Sequence, residues 1–222
     1  MKERPILFSA PMVRSLLNCT KSQTRRVIKF PPFIVEPGEP DLTSAGWIDE
    51  HEGGPGWYGW MTEYPEEGST PINCPYGKPG DRLWVRECYR DRAIGEGGHV
   101  ERGQYVYRAT ENVDRLAERW RPSIHMPRWA SRITLEITSV RVERLQDISE
   151  ADAKAEGIET VRVSESDFRY LDYLRAGQID IGDKEATCGS AVKSYRTLWE
   201  SINGPGSWEA NPWVWVISFR MV

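Results

Sequence analysis

The sequence predicts an α+β fold, a small open β-barrel with short flanking helices and two irregular insertions. Segments that alternate apolar and polar residues, as antiparallel strands with one solvated face do, outnumber the few segments with helical spacing. The stretches at about 31–79 and 159–189 are rich in Gly, Pro or charge and show neither period. With 222 residues, the chain is expected to form one domain, 1–222, that carries both insertions.

The N-terminal half begins with an apolar strand and a short helix. Ser9 is placed to cap that helix, with Pro11 in its first turn. The first insertion contains three Trp residues, which we expect to pack onto the body of the protein without regular elements. The predicted order is strand 5–8, helix 9–17, polar turn 21–26, strand-like pair 27–28, insertion, strand 82–89 and strand 104–108.

The C-terminal half has the clearest patterns. Alternation is cleanest over 133–145, which predicts a long antiparallel strand. Ser149 as N-cap, Asp152 at the capping-box position and Gly157 as the stop predict a short helix. The last strand is apolar on both faces and is therefore expected to be central. The predicted order is helix 113–119, loop 120–132, strand 133–145, helix 149–157, insertion, helix 191–202 and strand 211–222.

Composition excludes several classes of function. The net charge of −4 argues against a generally basic protein that coats DNA, so any nucleic-acid contact is expected to be a local basic patch. Four separated Cys and three His provide no metal-ligand spacing, and we expect neither a metal nor a cofactor. No apolar stretch is long enough to span a membrane, and the N-terminus does not resemble a signal peptide. These features predict a cytoplasmic protein without a membrane partner.

The turn at 21–26 places groups that could perform chemistry close together. Lys21 lies three residues before Thr24, and Arg25 and Arg26 follow at once. A Lys whose pKa is lowered by burial or by neighbouring cations can act as a base toward a nearby hydroxyl. The same residues also fit a solvated basic turn in which the Thr24 hydroxyl only caps the backbone.

Four stretches carry a resemblance to a known family. They are the turn 19–26, the strand start Gly80-Asp81-Arg82-Leu83-Trp84-Val85, the helix 149–157 and the closing strand 213–219. Together they resemble the ASCH domain of the PUA-like superfamily. With the stretches 74–77, 120–132 and 199–215 the chain resembles more closely, over nearly its full length, the phage and prophage ASCH-domain proteins often labelled "morphogenetic". The resemblance implies a PUA-like barrel and, for a phage protein, the host cytoplasm. A structural role in phage assembly is less expected, since no coiled coil or long arm is visible.

The resemblance also implies an activity. Small bacterial ASCH amidohydrolases remove the acetyl group from N4-acetylcytidine with a Lys, a Thr and a Glu, which correspond by motif to Lys21, Thr24 and Glu156. Two positions depart from the family pattern, since Cys19 stands where Gly is preferred and Ser22 where Thr is preferred. The substrate is therefore left open by the sequence.

Further residues are candidates for binding a nucleoside, RNA or single-stranded nucleic acid. Arginine and indole planes can stack on bases, and cations can contact phosphate. A non-catalytic reader of a modified base or RNA and a ribonuclease remain alternatives, as does a structural loop at 120–132. For Glu87, a cross-strand ion pair is a further alternative. The candidates are Arg25, Arg26, Glu87, His125, Arg128 and Trp129.

Overall fold

A five-stranded sheet forms the centre of the structure, a computed structural model. It describes residues 1–29, 44–48, 56–60, 70–94, 99–111, 119–175 and 184–222. The strands are β1 (Glu3–Leu7), β2 (Gln23–Val27), β3 (Ser44–Ile48), β4 (Gly56–Trp60), β5 (Thr70–Pro71), β6 (Arg82–Arg86), β7 (Tyr89–Ile94), β8 (His99–Tyr107), β9 (Thr134–Arg144), β10 (Thr160–Arg162), β11 (Phe168–Leu171), β12 (Thr187–Cys188) and β13 (Trp213–Met221). The α-helices are α1 (Ala10–Leu17), α2 (Glu150–Ala155) and α3 (Ala191–Asn203).

The architecture mixes sheets with few helices and is compatible with the predicted α+β class. The central sheet has the order β1-β6-β9-β13-β2. Strand β1 pairs with β6 in parallel, whereas the other pairings in this sheet are antiparallel. In the described part of the chain the hydrogen-bonded sheet is open, with β1 and β2 at its edges.

Residues of the central sheet and of the helices form the hydrophobic core. Strand β13 lies between β9 and β2, and residues 214–217 along it are all buried, which confirms the central strand predicted from its two apolar faces. Helices α1, α2 and α3 bury their apolar residues in the same cluster. Representative members are Ile6, Val13, Leu83, Leu135, Ala153, Tyr195 and Trp215.

Of the two helices for which caps were predicted, α2 has the predicted cap and α1 does not. The Ser149 hydroxyl accepts a hydrogen bond from the Asp152 amide at 3.1 Å, and Gly157 follows with φ of +79°. Helix α3 ends before Gly204, where φ is +94°. Ser9 occupies the N-cap position of α1, but its hydroxyl makes no capping hydrogen bond. The prediction that it caps this helix is therefore wrong in detail.

The polar turn predicted at 21–26 is wrong, because most of it is strand β2. Gln23, Thr24, Arg25 and Arg26 pair with residues 215–218 of β13. From the sequence alone, polar side chains such as these argue against a buried strand, because buried charges in a sheet require partners. Those partners come from distant segments, which local sequence patterns do not reveal.

Both insertions contain short antiparallel sheets, contrary to the prediction that they lack regular elements. Strands β3, β4 and β5 form one sheet within 31–79, and β10, β11 and β12 form another within 159–189. Gly and Pro lower the strand propensity of these segments, but pairing between neighbouring strands outweighs it. The predicted helix 113–119 lies outside the described residues except for Arg119.

A side chain connects the two edges of the central sheet. Arg26 on β2 donates a hydrogen bond from Nη2 to the carbonyl oxygen of Leu7 on β1 at 2.7 Å. Its Cζ also lies 5.4 Å from the centroid of the Phe8 ring. The sheet therefore curves far enough for β1 and β2 to approach each other.

Asp81 connects the N-terminus to β6. Its carboxylate accepts hydrogen bonds from the Lys2 amide at 2.7 Å and from Arg4 Nη1 at 3.0 Å. The hydrogen bond from the Lys2 amide is the main reason that the pKa of Asp81 lies below its usual 3.8, and Arg4 lowers this pKa further. The stability that Asp81 contributes is present above the unfolded-state pKa and is lost as the pH falls through the lower folded-state pKa.

We therefore expect the stability difference between the natural protein and Asp81→Asn to be constant above about pH 5 and to shrink as the pH falls below about 4. Thermal unfolding at a series of pH values measures it. Glu111→Gln, at an exposed position, serves as the control and should show little difference at any pH. A gap for Asp81→Asn that persists unchanged to pH 2 would contradict this assignment.

No helix in the described residues is long and apolar enough to cross a membrane.

Candidate functional site

The end of α1 sets the position of Lys21. The Cys19 amide donates to the Leu16 carbonyl at 3.0 Å, and the Thr20 amide donates to the Ser15 carbonyl at 2.9 Å. This is the hydrogen-bond pattern of a Schellman motif, which requires a left-handed residue after the helix. Cys19 is that residue, with φ of 58°. Gly adopts this conformation most readily, and here Cys19 adopts it.

Lys21 and Glu156 form a buried ion pair. Lys21 Nζ lies 3.0 Å from Glu156 Oε2, and the two side chains are 1% and 4% exposed. The same ammonium donates a hydrogen bond to the Glu156 carbonyl oxygen at 2.7 Å. The two residues also face each other as an isolated antiparallel β-bridge. Residues 135 positions apart in sequence are thus held together by backbone and side-chain contacts.

Gly157 lets the two segments approach this closely. A Cβ at this position would lie 2.6 Å from the Lys21 Cβ and 2.7 Å from the Ser15 Cβ. The Ser15 hydroxyl donates to the Gly157 carbonyl at 2.7 Å, in a buried hydrogen bond. Gly157 is therefore required both for its positive φ and for the space that it leaves.

Arg25 extends the ion pair into a network. Its Nη1 lies 3.2 Å from Glu156 Oε1, and its Nη2 lies 3.2 Å from Glu143 Oε2 and 3.4 Å from Asp152 Oδ2. Arg141 contacts both of those acids. Three cations therefore meet three carboxylates, so the cluster is balanced in charge, as buried charges require.

Burial affects the ionisation of this network. It lowers the pKa of Lys21 below the usual value of a lysine, although the Glu156 carboxylate opposes the change. Burial also raises the pKa of Tyr195 well above its usual value, and the charge of Glu156 adds to the effect. The Arg25 guanidinium carbon lies 6.0 Å from the Tyr195 ring. The site thus favours the neutral amine of Lys21 more than water does.

Thr24 lies on the other face of β2 from the network. Side chains alternate along a strand, so Thr24 and Arg26 share one face and Gln23 and Arg25 share the other. Thr24 is 4% exposed. No hydrogen bond joins it to Lys21 or Glu156, all three of which belong to the described residues. Lys21 Nζ and Arg26 Cζ each lie 5.4 Å from the Phe8 ring centroid, which places that ring beside both cations.

Two predicted binding residues are held by other protein groups. Arg25 is fully buried within the network. Glu87 forms a two-pronged ion pair with Arg132, at 2.8 Å from Nε to Oε1 and 3.0 Å from Nη2 to Oε2. The Arg132 guanidinium carbon in turn lies 4.0 Å from the Tyr107 ring centroid. Glu87 thus forms an ion pair, but not the cross-strand pair considered for it, because Glu87 and Arg132 both lie outside the strands and the Glu87 side chain is buried.

The loop 120–132 presents its predicted binding residues on the surface. His125, Arg128 and Trp129 are exposed, and Trp129 is 69% exposed. The Trp129 ring lies 5.3 Å from that of Tyr105 on β8. Arg128 Nε bonds to Glu3 Oε2 at 2.9 Å and so connects the loop to β1. These residues form a group separate from the Lys21–Glu156 pair.

Sequence reasoning missed two acids of the network. Asp152 lies four residues before Glu156, so the helical period places both on one side of α2. This spacing could have predicted that the two acids belong to the same site. Glu143 on β9 reaches Arg25 across β13, which no local pattern indicates. In the described ranges, no group of three or more His, Cys, Asp or Glu side chains could hold a metal ion.

Comparison of the chain with protein-family models, with curated proteins and with solved structures finds no significant match.

Proposed function

We propose that this chain is a PUA-like protein of ASCH type that hydrolyses an amide on a modified base, with N4-acetylcytidine as the representative substrate. The observation that carries the proposal is the buried Lys21–Glu156 pair, 3.0 Å from Nζ to Oε2, beside the start of the strand that contains Thr24. The family pattern assigns the amine, the alcohol and the acid of the reaction to these three positions. Two of them, far apart in sequence, are in contact.

The barrel assignment is part of the proposal. The hydrogen-bonded sheet is open, but Arg26 connects its edges through the Leu7 carbonyl oxygen and the Phe8 ring. A curved, mostly antiparallel sheet whose two edge strands approach each other is what a small PUA-like barrel requires.

The proposed reaction uses Lys21 as the base. Its neutral amine, which burial favours, takes the hydroxyl proton of Thr24, and Oγ1 forms a bond to the amide carbonyl carbon. The proton then passes through Glu156 to the leaving nitrogen as the carbon–nitrogen bond breaks. The free base amine leaves in that step, with the acetyl group now on Thr24 as an ester. Water then cleaves this ester, which releases acetate and restores the Thr24 hydroxyl.

Substrate must reach residues that are nearly enclosed. Lys21 and Thr24 are each 4% exposed. Catalytic hydrogen bonds are commonly longer before substrate binds than in the reacting complex. Thr24 also lies on the other face of β2 from the network and, among the residues that the structure describes, has no hydrogen bond to Lys21. The proposal therefore requires the side chains around Phe8 and Arg26 to move when substrate enters, so that the Lys21 amine reaches the Thr24 hydroxyl.

Mass spectrometry of N4-acetylcytidine incubated with the protein tests the proposal. We expect the natural protein to form cytidine, and Thr24→Val to lose at least about a thousandfold in rate, as loss of a nucleophile does. Thr24→Ser should retain activity because it retains the hydroxyl. Ser22→Ala removes an exposed hydroxyl two residues away and should leave the rate unchanged. Absence of cytidine with the natural protein, or full activity in Thr24→Val, would refute the proposal.

A second candidate function is a non-catalytic reader of single-stranded RNA. The observation that favours it is Trp129, whose ring is 69% exposed and lies against Tyr105. An exposed aromatic ring that is held by a neighbour is a suitable platform for a base. Arg128 and His125 in the same loop could contact phosphate.

For this candidate, we expect Trp129→Ala to weaken binding of a short labelled RNA by about 5- to 150-fold, the loss typical of one base-stacking ring. Fluorescence anisotropy measures it. Phe168→Ala is the matched control, because Phe168 is also a surface ring and is 62% exposed. Equal losses in the two variants, or no binding by the natural protein, would exclude a reader that uses Trp129.

A further inference from the structure

A cavity of about 510 Å³ lies where β2 ends and approaches the segment 71–76. Trp215 and Ile28 are buried residues that line it, and half-buried Tyr76 forms another part of its wall. The exposed residues Asn73 and Lys29 also line the cavity. The volume is within the range of small-molecule binding sites, about 300–1,000 Å³.

The lining indicates the chemistry of a ligand. Half-buried Tyr76 offers an aromatic side chain, and the buried side chains of Trp215 and Ile28 form an apolar floor, which together suit a planar ring. The Asn73 amide can both donate and accept, and so can pair with the polar edge of a heterocycle. Lys29 carries the charge among the described residues that line the cavity, and it would attract an anionic substituent.

The cavity is distinct from the proposed reacting groups. Trp215 pairs with Arg26 and Ile217 pairs with Thr24, so these side chains share one face of the sheet. Along β2, Ile28 follows Thr24 by four residues, or about 13 Å at the rise of an extended strand. A ring in the cavity would therefore lie along the same face as Thr24 but beyond its reach.

We propose that this cavity is a binding site for a planar heteroaromatic ring that carries a phosphate, as a nucleotide does. The ring lies against Tyr76 over the floor that Trp215 forms, Asn73 contacts its polar edge, and Lys29 binds the phosphate. This assignment does not depend on turnover at Thr24, because binding and hydrolysis are measured separately.

Calorimetric titration with cytidine 5′-monophosphate, cytidine and ribose 5-phosphate tests the site. We expect the nucleotide to bind most tightly, the nucleoside more weakly and the sugar phosphate not measurably. Lys29→Ala should weaken nucleotide binding by roughly tenfold and leave nucleoside binding unchanged, since the lost contact is to phosphate. Asn73→Ala should weaken both. Lys193→Ala, at an exposed position on α3, is the matched control and should change neither.

The exposed positions of Lys29 and Asn73 make these variants compatible with folding, and equal melting temperatures verify it. Thr24→Val should bind the nucleotide normally, which separates this site from the hydrolytic one. A 5′-phosphorylated trinucleotide with the same dependence on Lys29 would identify the end of a nucleic acid as the source of the ligand, and its failure to bind would identify a free nucleotide. No binding of the mononucleotide or of the trinucleotide at millimolar concentration, or binding that is unchanged in both Lys29→Ala and Asn73→Ala, would overturn the proposal.

Discussion

Replacing Glu156 by alanine is expected to lower the free energy of unfolding by about 3–5 kcal/mol, the usual cost of removing one partner from a buried ion pair. The Glu156 carboxylate contacts Lys21 on one oxygen and Arg25 on the other. Without this carboxylate, Lys21 has no acidic partner within the described ranges, although its side chain is only 1% exposed. Arg25 keeps its contacts with Glu143 and Asp152. Urea unfolding followed by circular dichroism measures the change.

Two further variants isolate the role of charge. Glu209→Ala breaks a pair with Arg196 at a position where the acid is 54% exposed, and should cost no more than about 1 kcal/mol. The double variant Lys21→Met, Glu156→Leu removes both charges and keeps the volume, so it should recover most of the stability lost in Glu156→Ala. If Glu156→Ala costs no more than Glu209→Ala, the pair does not stabilise the fold.

Gly157→Ala is expected to be similarly destabilising, by about 2–5 kcal/mol, through two separate effects. A left-handed backbone costs an L-residue about 1–2 kcal/mol, and overpacking adds typically 1–3 kcal/mol. The second term applies because the new Cβ would lie 2.6 Å from the Lys21 Cβ and 2.7 Å from the Ser15 Cβ. Relief of that contact requires α1 and the segment after α2 to move apart, which would also lengthen the Lys21–Glu156 contact.

Gly206→Ala provides the matched comparison. Gly206 has φ of +78°, nearly the +79° of Gly157, but an added Cβ there would meet nothing within 4 Å. The difference in unfolding free energy between the two variants therefore measures the crowding term alone. Equal losses would show that the backbone between Ser15 and Lys21 yields without cost.

Much of the fold could be predicted where local patterns and tertiary structure agree. The alternation at 133–145 became β9, and the Ser149 and Gly157 signals bound α2. Strand β2 was missed because Arg25 is an unusual residue for a buried strand, and only the acids of β9 and α2 make its burial possible. Lys21 and Glu156 were paired by family resemblance alone, since nothing in the intervening sequence indicates their contact.

The position of Arg26 has a consequence for self-association. Strands β1 and β2 are the edges of the central sheet, and an exposed edge can recruit a strand from another molecule and start aggregation. Arg26 donates a hydrogen bond to the carbonyl oxygen of Leu7, one of the acceptors of β1, and its charged side chain lies between the two edges. A strand from another molecule that approached β1 would therefore have to displace this guanidinium to use the Leu7 carbonyl.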